Sequence, residues 1–303
     1  MIVADLPALD LVRRLNGPGV QLRTGPVVTR IRSDLPAIAD GIRLYYAEHA
    51  VEDPSDFADF DVRVGTPRNL RRWFKRQAMF DFDGATPFKP LPHEHAFPML
   101  EWGLNWCVSS QFNQYLSIHA AVVEKNGRAV VLPAPPGSGK STLCAGLVTR
   151  GWRLLSDELT LLDPATGKIS PLARPVSLKN ASIDVMRAFS ASAVIGPVVH
   201  DTKKGSVAHM KPPTESVRRE GESATPGFVV LPRYKVGSPP LLTTVSKAAA
   251  FMQLADNAFN YHLHGRRGFE ALGQLIDTSQ CFEFVYSRLD DAIATFDELA
   301  RGA

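Results

Sequence analysis

The sequence predicts an α/β fold organised around one phosphate-binding turn, on three observations. An apolar run at 129–132 precedes a glycine-rich segment at 134–142, and a helical stretch follows it. A second apolar strand, beginning at Trp152, ends in the acidic pair Asp157-Glu158. Further strand and helix patterns continue to the C-terminus. A strand, a glycine-rich turn and a helix that begins with Lys-Ser form the context in which a P-loop binds phosphate.

The glycine-rich segment reads APPGSGKST, with alanine where the usual motif opens with glycine. Gly137 and Gly139 allow backbone N–H groups to converge on an anion, and the first turn of the following helix adds unpaired N–H groups. We expect Lys140 to reach the β- and γ-phosphates of ATP, and the Ser141 hydroxyl to ligate Mg²⁺. The alternative is an ordinary strand–helix turn with a chance lysine. The predicted phosphate-binding residues are Pro136, Gly137, Ser138, Gly139, Lys140, Ser141 and Thr142.

Composition limits the classes of protein to which the chain can belong. Its 303 residues are 45% hydrophobic and 21% charged, with a formal net charge of +3. These values are typical of a globular protein and favour neither a nucleic-acid nor a membrane-surface partner. The three cysteines are far apart, and no signal peptide or apolar run of membrane-spanning length is visible. We therefore expect a cytoplasmic protein without a membrane span. A homo-oligomer is compatible with these features.

Residues 1–95 are predicted to form a smaller α+β module, and residues 96–303 a second domain. A helix is expected at 34–49 and a strand at 57–64. The basic and aromatic stretch at 69–76 contacts a phosphorylated or acidic partner, or is a solvated face with two buried aromatic side chains. The alternation of His93-Glu94-His95 favours a strand over a metal site.

The second domain begins with a predicted helix at 97–115 and a strand at 116–124. Asn126-Gly127 is a strong signal for a tight hairpin. The strand that leads into the glycine-rich segment therefore has an antiparallel partner, which carries His119.

The helix after the glycine-rich segment is predicted to stop at Gly151, and residues 152–156 form the next strand. Asp157 and Glu158 supply carboxylates to hold Mg²⁺ and to accept the proton of an attacking hydroxyl. Neighbours on an extended strand point to opposite faces, so both reach the phosphates only if the chain bends there. In the alternative, one acid caps a turn and only the other is functional.

Past a predicted hairpin at 159–172, Arg174, Lys179 and Lys204 could contact phosphate or simply face solvent. The polar segment 202–209 is predicted to be a loop that acts as a mobile lid or substrate loop, with a plain surface linker as the equal alternative. Two strands, at 228–231, where Pro232 ends the strand, and at 281–286, and three helices, at 246–257, 269–276 and 289–299, are expected to complete the sheet.

The stretch 117–163 resembles the catalytic domain of HPr kinase/phosphorylase, through the His-bearing strand, the hairpin, Gly-x-Gly-Lys-Ser and the strand that ends in two acids. The motifs RPVSLK at 174–179, KGSVAH at 204–209 and PRY at 232–234 are similar to the bacterial HPr-kinase-related kinase A subgroup. The resemblance implies a P-loop kinase domain of HPr kinase type, with a mixed sheet and flanking helices, that uses ATP and Mg²⁺ to phosphorylate a serine hydroxyl. It does not cover residues 1–95.

The resemblance also assigns residues, with two departures. His119 matches a family histidine near the acidic pair, where it could tune the base or could simply be a buried histidine. Asp157-Glu158 matches a paired Asp-Asp, so the glutamate is a departure. The general P-loop pattern makes Asp157 the metal ligand and Glu158 the base that accepts the proton. Which acid has which role stays open. The Glu-x-Arg-Gly-x-Gly segment of the family has no counterpart, so the resemblance extends neither to phosphorolysis nor to recognition of HPr.

The function predicted from the sequence is an ATP-dependent kinase that acts on a hydroxyl of a protein, peptide or small molecule. The alternative is a nucleotide-dependent ATPase or regulatory switch without an acceptor. A non-catalytic binding domain is a third hypothesis, against which the retained lysine, serine and acids argue. The predicted catalytic residues are Asp157, Glu158, His119 and Lys140, and the predicted metal ligands are Ser141, Asp157 and Glu158.

Overall fold

The computed structural model describes residues 1–67, 76–135 and 137–302. It shows a mixed α/β fold with two six-stranded sheets and two three-stranded sheets. Within the described ranges, no helix is both long and apolar enough to cross a membrane. The basic stretch predicted at 69–76 lies outside these ranges apart from Arg76, and so does Pro136.

The bounds of the elements, numbered in chain order, are as follows. The strands are β1 (Val20–Thr24), β2 (Val27–Ser33), β3 (Val51–Glu52), β4 (Phe60–Gly65), β5 (Gln77–Phe82), β6 (Leu91–Pro92), β7 (Leu116–Ile118), β8 (Ala120–Lys125), β9 (Arg128–Pro133), β10 (Arg153–Ser156), β11 (Thr160–Leu162), β12 (Ile169–Ser170), β13 (Val176–Lys179), β14 (Val199–Thr202), β15 (Gly205–Met210), β16 (Thr225–Tyr234), β17 (Leu241–Thr244) and β18 (Gln280–Tyr286). The helices are α1 (Ala8–Asn16), α2 (Pro36–Tyr45), α3 (Ala96–Gln111), α4 (Lys140–Val148), α5 (Ala181–Phe189), α6 (Thr214–Arg218), α7 (Lys247–Asp256), α8 (Tyr261–His264), α9 (Arg266–Asp277) and α10 (Leu289–Arg301).

The first sheet has the order β3-β1-β2-β4-β5-β6 and packs against α1, α2 and α3. Helix α3 follows the boundary that the sequence predicts at residue 95, yet its apolar side chains belong to this first core. Leu100, Leu104 and Cys107, at helical spacing, are buried there with Ile38 and Ile42 of α2. One helix therefore joins the core of the first sheet to the chain that leads into the second.

The second sheet has the order β10-β8-β9-β16-β18-β17 and carries helices on both faces. Strand β9 pairs antiparallel with β8 and parallel with β16. Alternation along β9 sends Val130 and Leu132 to one core, and Ala129 and Val131 to the other. The predicted hairpin between β8 and β9 is confirmed, since Asn126 and Gly127 have φ angles of 54° and 78°.

The predicted strand at 116–124 is interrupted at His119. Before the break, β7 pairs with β11 in a three-stranded sheet, and after it β8 joins the second sheet. The His119 N–H donates a hydrogen bond of 2.8 Å to the carbonyl of Asn257, outside both sheets. Since the chain changes sheets at this residue, the histidine side chain sits at a junction rather than in a continuous ladder.

Two other local predictions were wrong. His93–His95 is a 3₁₀ helix, not a strand, and the His95 Nε2–H donates a hydrogen bond of 2.9 Å to the carbonyl of His200. The polar segment 202–209 is not a loop, because most of it forms β15, paired with β13 and β14. His209 lies opposite Ser177 in that pairing and is buried.

Candidate functional site

The glycine-rich turn (residues 134–139) connects β9 to α4 as the sequence predicts. Gly137 and Gly139 have φ angles of 87° and 89°, a region that other residues rarely adopt. A Cβ atom on Gly139 would lie 2.5 Å from the Tyr286 hydroxyl. That hydroxyl donates a hydrogen bond of 3.0 Å to the Gly139 carbonyl, and the Tyr234 N–H donates one of 2.9 Å to the Ser138 carbonyl. The ends of β16 and β18 therefore hold the turn at the start of α4.

Lys140, the first residue of α4, is 8% exposed. Its Nζ has no hydrogen-bond partner within the described part of the chain. Burial lowers the pKa of Lys140, against the opposing charges of Asp157 and Glu158. An unpaired ammonium group that is buried costs free energy unless an anion joins it. A phosphate at the helix N-terminus is an anion that fits this position.

The acidic pair lies at a bend, which the sequence requires if both side chains are to reach one site. Strand β10 ends at Ser156, after a register shift between Leu154 and Ser156 in its pairing with β8. The Ser156 hydroxyl then accepts a hydrogen bond of 3.0 Å from the Leu159 N–H, which turns the chain. Because the strand does not continue, the side chains of Asp157 and Glu158 are not forced to opposite faces.

Asp157 is buried, and one of its two carboxylate oxygens has a hydrogen-bond partner. Its Oδ2 accepts a hydrogen bond of 3.0 Å from the Ser177 N–H on β13, while Oδ1 has no partner among residues 1–67, 76–135 and 137–302. Burial and the charge of Glu158 raise the pKa of Asp157 to about 6. This carboxyl group therefore has one fixed oxygen, one available oxygen and a raised affinity for a proton.

Glu158 has a different environment. Its Oε2 accepts a hydrogen bond of 2.6 Å from the side-chain amide of Asn105, and its Oε1 lies 3.4 Å from the Lys179 Nζ. Burial acts to raise the pKa of Glu158, but the charges of Lys179, Lys204 and Lys140 outweigh it, and the pKa is below its ordinary value. Glu158 therefore stays ionised where Asp157 takes up a proton.

His119 belongs to the same cluster of charges. Burial lowers the pKa of His119 to about 4, with a further decrease from Lys140 and an opposing increase from Glu158. The ring lies 5.8 Å from that of Phe259, centroid to centroid. At neutral pH the imidazole is thus uncharged, so it can act near the acids as a neutral hydrogen-bonding group.

The three cations that the sequence suggests as phosphate contacts have different environments in the structure. Lys179 pairs with Glu158, and the Lys204 Nζ lies 5.3 Å from the centroid of the Trp102 ring. Burial lowers the pKa of Lys204, while the charge of Glu158 opposes that decrease. Both lysines are therefore within electrostatic reach of the acids.

Arg174 is buried and engaged elsewhere. Its Nη2 donates hydrogen bonds of 3.0 Å to the carboxylate and to the backbone carbonyl of Glu101 on α3. The Tyr46 hydroxyl donates a bond of 2.6 Å to the same carboxylate. Burial disfavours the charged form of Arg174, but the negative charge of Glu101 more than offsets this effect. The pKa of Arg174 is therefore raised. The guanidinium is thus committed to a structural ion pair between α3 and the segment before β13.

A narrow cavity beside the acids is walled on one side by α3. Its lining includes residues of α3, both acids and residues at or before β13: Glu101, Trp102, Asn105, Asp157, Glu158, Arg174 and Ser177. The helix that packs in the first core thereby also forms one side of the cavity at the acids. No sequence signal singles out Asn105 or Glu101, since an amide and a carboxylate four residues apart are ordinary on an amphipathic helix.

The residues of the turn and the acidic bend fit a nucleotide phosphate chain with Mg²⁺. Lys140 Nζ, Ser138 Oγ and Asp157 Oδ1 are buried polar atoms without partners in the described ranges. Those ranges contain no group of three or more His, Cys, Asp or Glu side chains able to hold a metal ion alone. Mg²⁺ needs no such group, because it commonly takes one or two protein carboxylates together with phosphate oxygens and water.

Comparisons with known proteins give limited matches. A protein-family profile described as the SynChlorMet cassette protein ScmC matches residues 98–177, less than half of the chain. A comparison with curated proteins gives no match. Among solved structures, the chain is similar to the Hpr(Ser) kinase/phosphatase from Coxiella burnetii, with 12% sequence identity and a TM-score of 0.28. That match covers 62% of this chain and 99% of the other, and a likeness of that size does not establish a shared fold.

The segment that matches ScmC coincides with most of the site. It begins within α3 and ends inside β13, and it includes Asn105, His119, Lys140, Glu158 and Ser177. Lys179 and Lys204 lie beyond it. The matched segment is therefore the part of the chain that brings α3, the glycine-rich turn and the acids together.

Proposed function

We propose that this protein is an ATP-dependent phosphotransferase that moves the γ-phosphoryl group of ATP to a hydroxyl group of a protein, peptide or small molecule. The observation that carries the proposal is the buried Lys140 ammonium, which lacks a partner in the described ranges and sits at the N-terminus of α4 near two carboxylates. A cation, oriented N–H groups and acids together are the parts that phosphoryl transfer uses.

The phosphate chain is held by the glycine-rich turn and α4. Backbone N–H groups around Gly137 and Gly139 bind phosphate oxygens, and Lys140 neutralises their charge. Ser141 and Glu158 would hold Mg²⁺, and Asp157, the neighbour of Glu158 in the chain, would be a further carboxylate ligand. When bound, Mg²⁺ supplies positive charge to the phosphate oxygens and fixes their orientation. Since the charges of Lys179, Lys204 and Lys140 keep Glu158 ionised, it is the better lasting ligand of the two acids.

Asp157 accepts the proton of the attacking hydroxyl. Its Oδ1 is available, and the Ser177 N–H holds the other oxygen in place. A carboxyl group whose pKa lies near 6 is a stronger base than an ordinary aspartate and is still ionised at neutral pH. This assignment reverses the one that generic P-loop logic favours. The neutral ring of His119 assists by hydrogen bonding near the acids rather than by charge.

The test is transfer of radiolabel from [γ-³²P]ATP with Mg²⁺ to a hydroxyl acceptor in fractionated cell extract. The proposal predicts a labelled, acid-stable phosphoester product with the wild-type protein and none with Lys140→Met. Lys168→Met, which removes an exposed lysine from the β11–β12 hairpin, serves as the matched control and retains transfer.

Release of inorganic phosphate without a labelled acceptor would support the nucleotide-dependent ATPase or switch instead. Label that appears equally with Lys140→Met would overturn both functions, because neither proceeds without the lysine.

A further inference from the structure

Tyr234, the last residue of β16, presents an aromatic ring beside the glycine-rich turn. The residue is 49% exposed, whereas its neighbour Tyr286 on β18 is 2% exposed. The two rings meet edge to face, with centroids 5.8 Å apart and an interplanar angle of 72°. Tyr286 is held by its hydrogen bond to the Gly139 carbonyl, and its ring supports the solvent-exposed ring of Tyr234.

The backbone around Tyr234 is held on both sides. Its N–H donates to the Ser138 carbonyl at 2.9 Å, and the Lys235 N–H donates to the Tyr286 carbonyl at 2.9 Å. Its Cβ lies 3.0 Å from the place where a Cβ of Gly139 would stand. The Cα and Cβ atoms of Tyr234, from which the ring projects, therefore cannot move away from the turn without breaking the strand end. A half-exposed aromatic side chain that is held this firmly is pre-organised to bind a flat ligand.

The location favours one class of flat ligand. Strands β16 and β18 run parallel to β9, so their carboxyl ends lie at the same edge of the sheet as the glycine-rich turn. Ligands of open α/β sheets bind outside this edge. A ligand that anchors its phosphates on the turn carries its base at the far end of the phosphate chain, and every base presents a π-face to an aromatic ring.

We propose that the ring of Tyr234 is the platform on which the base of the bound nucleoside triphosphate stacks. The inference rests on the proposed function for the presence of a nucleotide, and it adds a residue that recognises the part of the nucleotide distant from the chemistry. Removal of the ring weakens binding of the nucleoside while leaving the phosphate chain bound as before.

The test compares two ligands by titration calorimetry: MgATP, and magnesium tripolyphosphate, which has the phosphates but no nucleoside. With Tyr234→Ala, we expect the affinity for MgATP to fall roughly tenfold, in line with the energy of base–aromatic stacking. Affinity for tripolyphosphate is expected to stay within about twofold of wild type. Tyr234→Phe, which keeps the ring, is expected to bind both ligands like wild type. Val236→Ala, at a residue that is 80% exposed, is the matched control.

Three results would overturn the inference: unchanged MgATP affinity in Tyr234→Ala, an equal loss for both ligands, or a wild-type protein that binds neither. The equal loss would mean that Tyr234 supports the turn rather than the base, and a parallel fall in melting temperature would accompany it. If MgATP binding depends on the ring but no acceptor is phosphorylated, the stacking role of Tyr234 is supported and the proposed phosphotransferase activity is contradicted.

Discussion

The amide of Asn105 donates a hydrogen bond of 2.6 Å to the carboxylate of Glu158, across 53 residues of sequence. Asn105 lies on α3, whose apolar face is part of the first hydrophobic core, whereas Glu158 follows a strand of the second sheet. One turn earlier on the same helix, Glu101 pairs with Arg174. Two polar residues of α3 thus join the core of the first sheet to the candidate site.

Asn105→Leu keeps the approximate shape of the side chain and removes the donor. We expect kcat for phosphoryl transfer to fall about tenfold, with KM for ATP within about twofold, because a misplaced acid affects the transition state more than ground-state binding. Steady-state kinetics with the labelled acceptor measure both. Ser109→Ala is the control, since the Ser109 hydroxyl donates a hydrogen bond to the Trp106 carbonyl of the same helix. An unchanged kcat, or a loss confined to KM, would contradict a positioning role.

Arg174→Met leaves the charge of Glu101 buried without its partner. We expect the free energy of unfolding to fall by about 3–5 kcal/mol, as when one member of a buried ion pair is removed. Urea denaturation measures this change, and the double variant Arg174→Met/Glu101→Leu recovers much of it because both charges are gone. Arg187→Met, which breaks an exposed pair with Asp184, is the control and costs under about 1 kcal/mol. A stable Arg174→Met protein with lost nucleotide affinity would instead favour the phosphate contact considered from the sequence.

Lys140→Met exchanges a buried, unpaired ammonium for an apolar side chain of similar length. Because burial disfavours the charged form, we expect the nucleotide-free variant to be more stable by roughly 1 kcal/mol while its affinity for MgATP falls at least tenfold. Thermal unfolding without MgATP measures the change in stability, and the shift in melting temperature on adding MgATP measures the change in affinity. Lys168→Met should alter neither. Loss of stability together with retained affinity would show that the lysine has a structural role only.

Gly139→Ala and Gly127→Ala form a matched pair, since both residues have positive φ angles, 89° and 78°. Each substitution forces alanine into a left-handed conformation at a cost of roughly 1–2 kcal/mol. Only at Gly139 does the new Cβ also meet the Tyr286 hydroxyl, whereas at Gly127 it meets no atom within 4 Å. We expect Gly139→Ala alone to abolish nucleotide binding, measured by calorimetry. Similar nucleotide affinity in the two variants would contradict a tight fit at the turn.

We expect His49 to make the stability of the fold dependent on pH. It is buried, its ring bonds to the carbonyl of Ala173, and burial lowers its pKa from 6.5 to about 4, with Arg174 and Lys211 among the nearby cations. The unfolded chain therefore takes up a proton at higher pH than the folded one. Stability from this group is complete above pH 6.5 and is lost as the pH falls from 6.5 to 4, by roughly 1–3 kcal/mol.

Urea denaturation of the wild type and of His49→Gln across that pH range tests this prediction. The variant should show a shallower dependence on pH, while the exposed His262→Gln should keep the wild-type slope. Equal slopes for His49→Gln and the wild type would assign the acid sensitivity to other groups.

Much of the second sheet could be predicted because its signals are local. Asn126-Gly127 needs positive φ angles at both residues, Ser246 caps α7 through the Ala249 N–H, and the apolar run of β9 ends at the glycines. Each of these features depends on residues adjacent in sequence. The acidic bend was foreseen as a requirement, but its cause, the register shift after Leu154, depends on pairing with β8.

The remainder of the site depends on contacts between distant residues. Asn105 and Ser177 hold the acids through single hydrogen bonds, and no periodicity marks either residue. The burial of Arg174 follows from Glu101, 73 residues earlier. The break at His119 arises because β7 finds its partner in β11, so a continuous apolar pattern was split between two sheets. Such features follow from packing and not from local propensity.

The measurement that bears most directly on a shared pocket for the turn and the acids is the affinity of ATP with and without Mg²⁺, by calorimetry, in wild type and Glu158→Gln. We expect Mg²⁺ to strengthen ATP binding at least tenfold in wild type, and Glu158→Gln to remove that gain while leaving the metal-free affinity within about twofold. Absence of ATP binding in wild type, or an equal gain from Mg²⁺ in both proteins, would contradict a pocket in which the acidic bend and the glycine-rich turn act together.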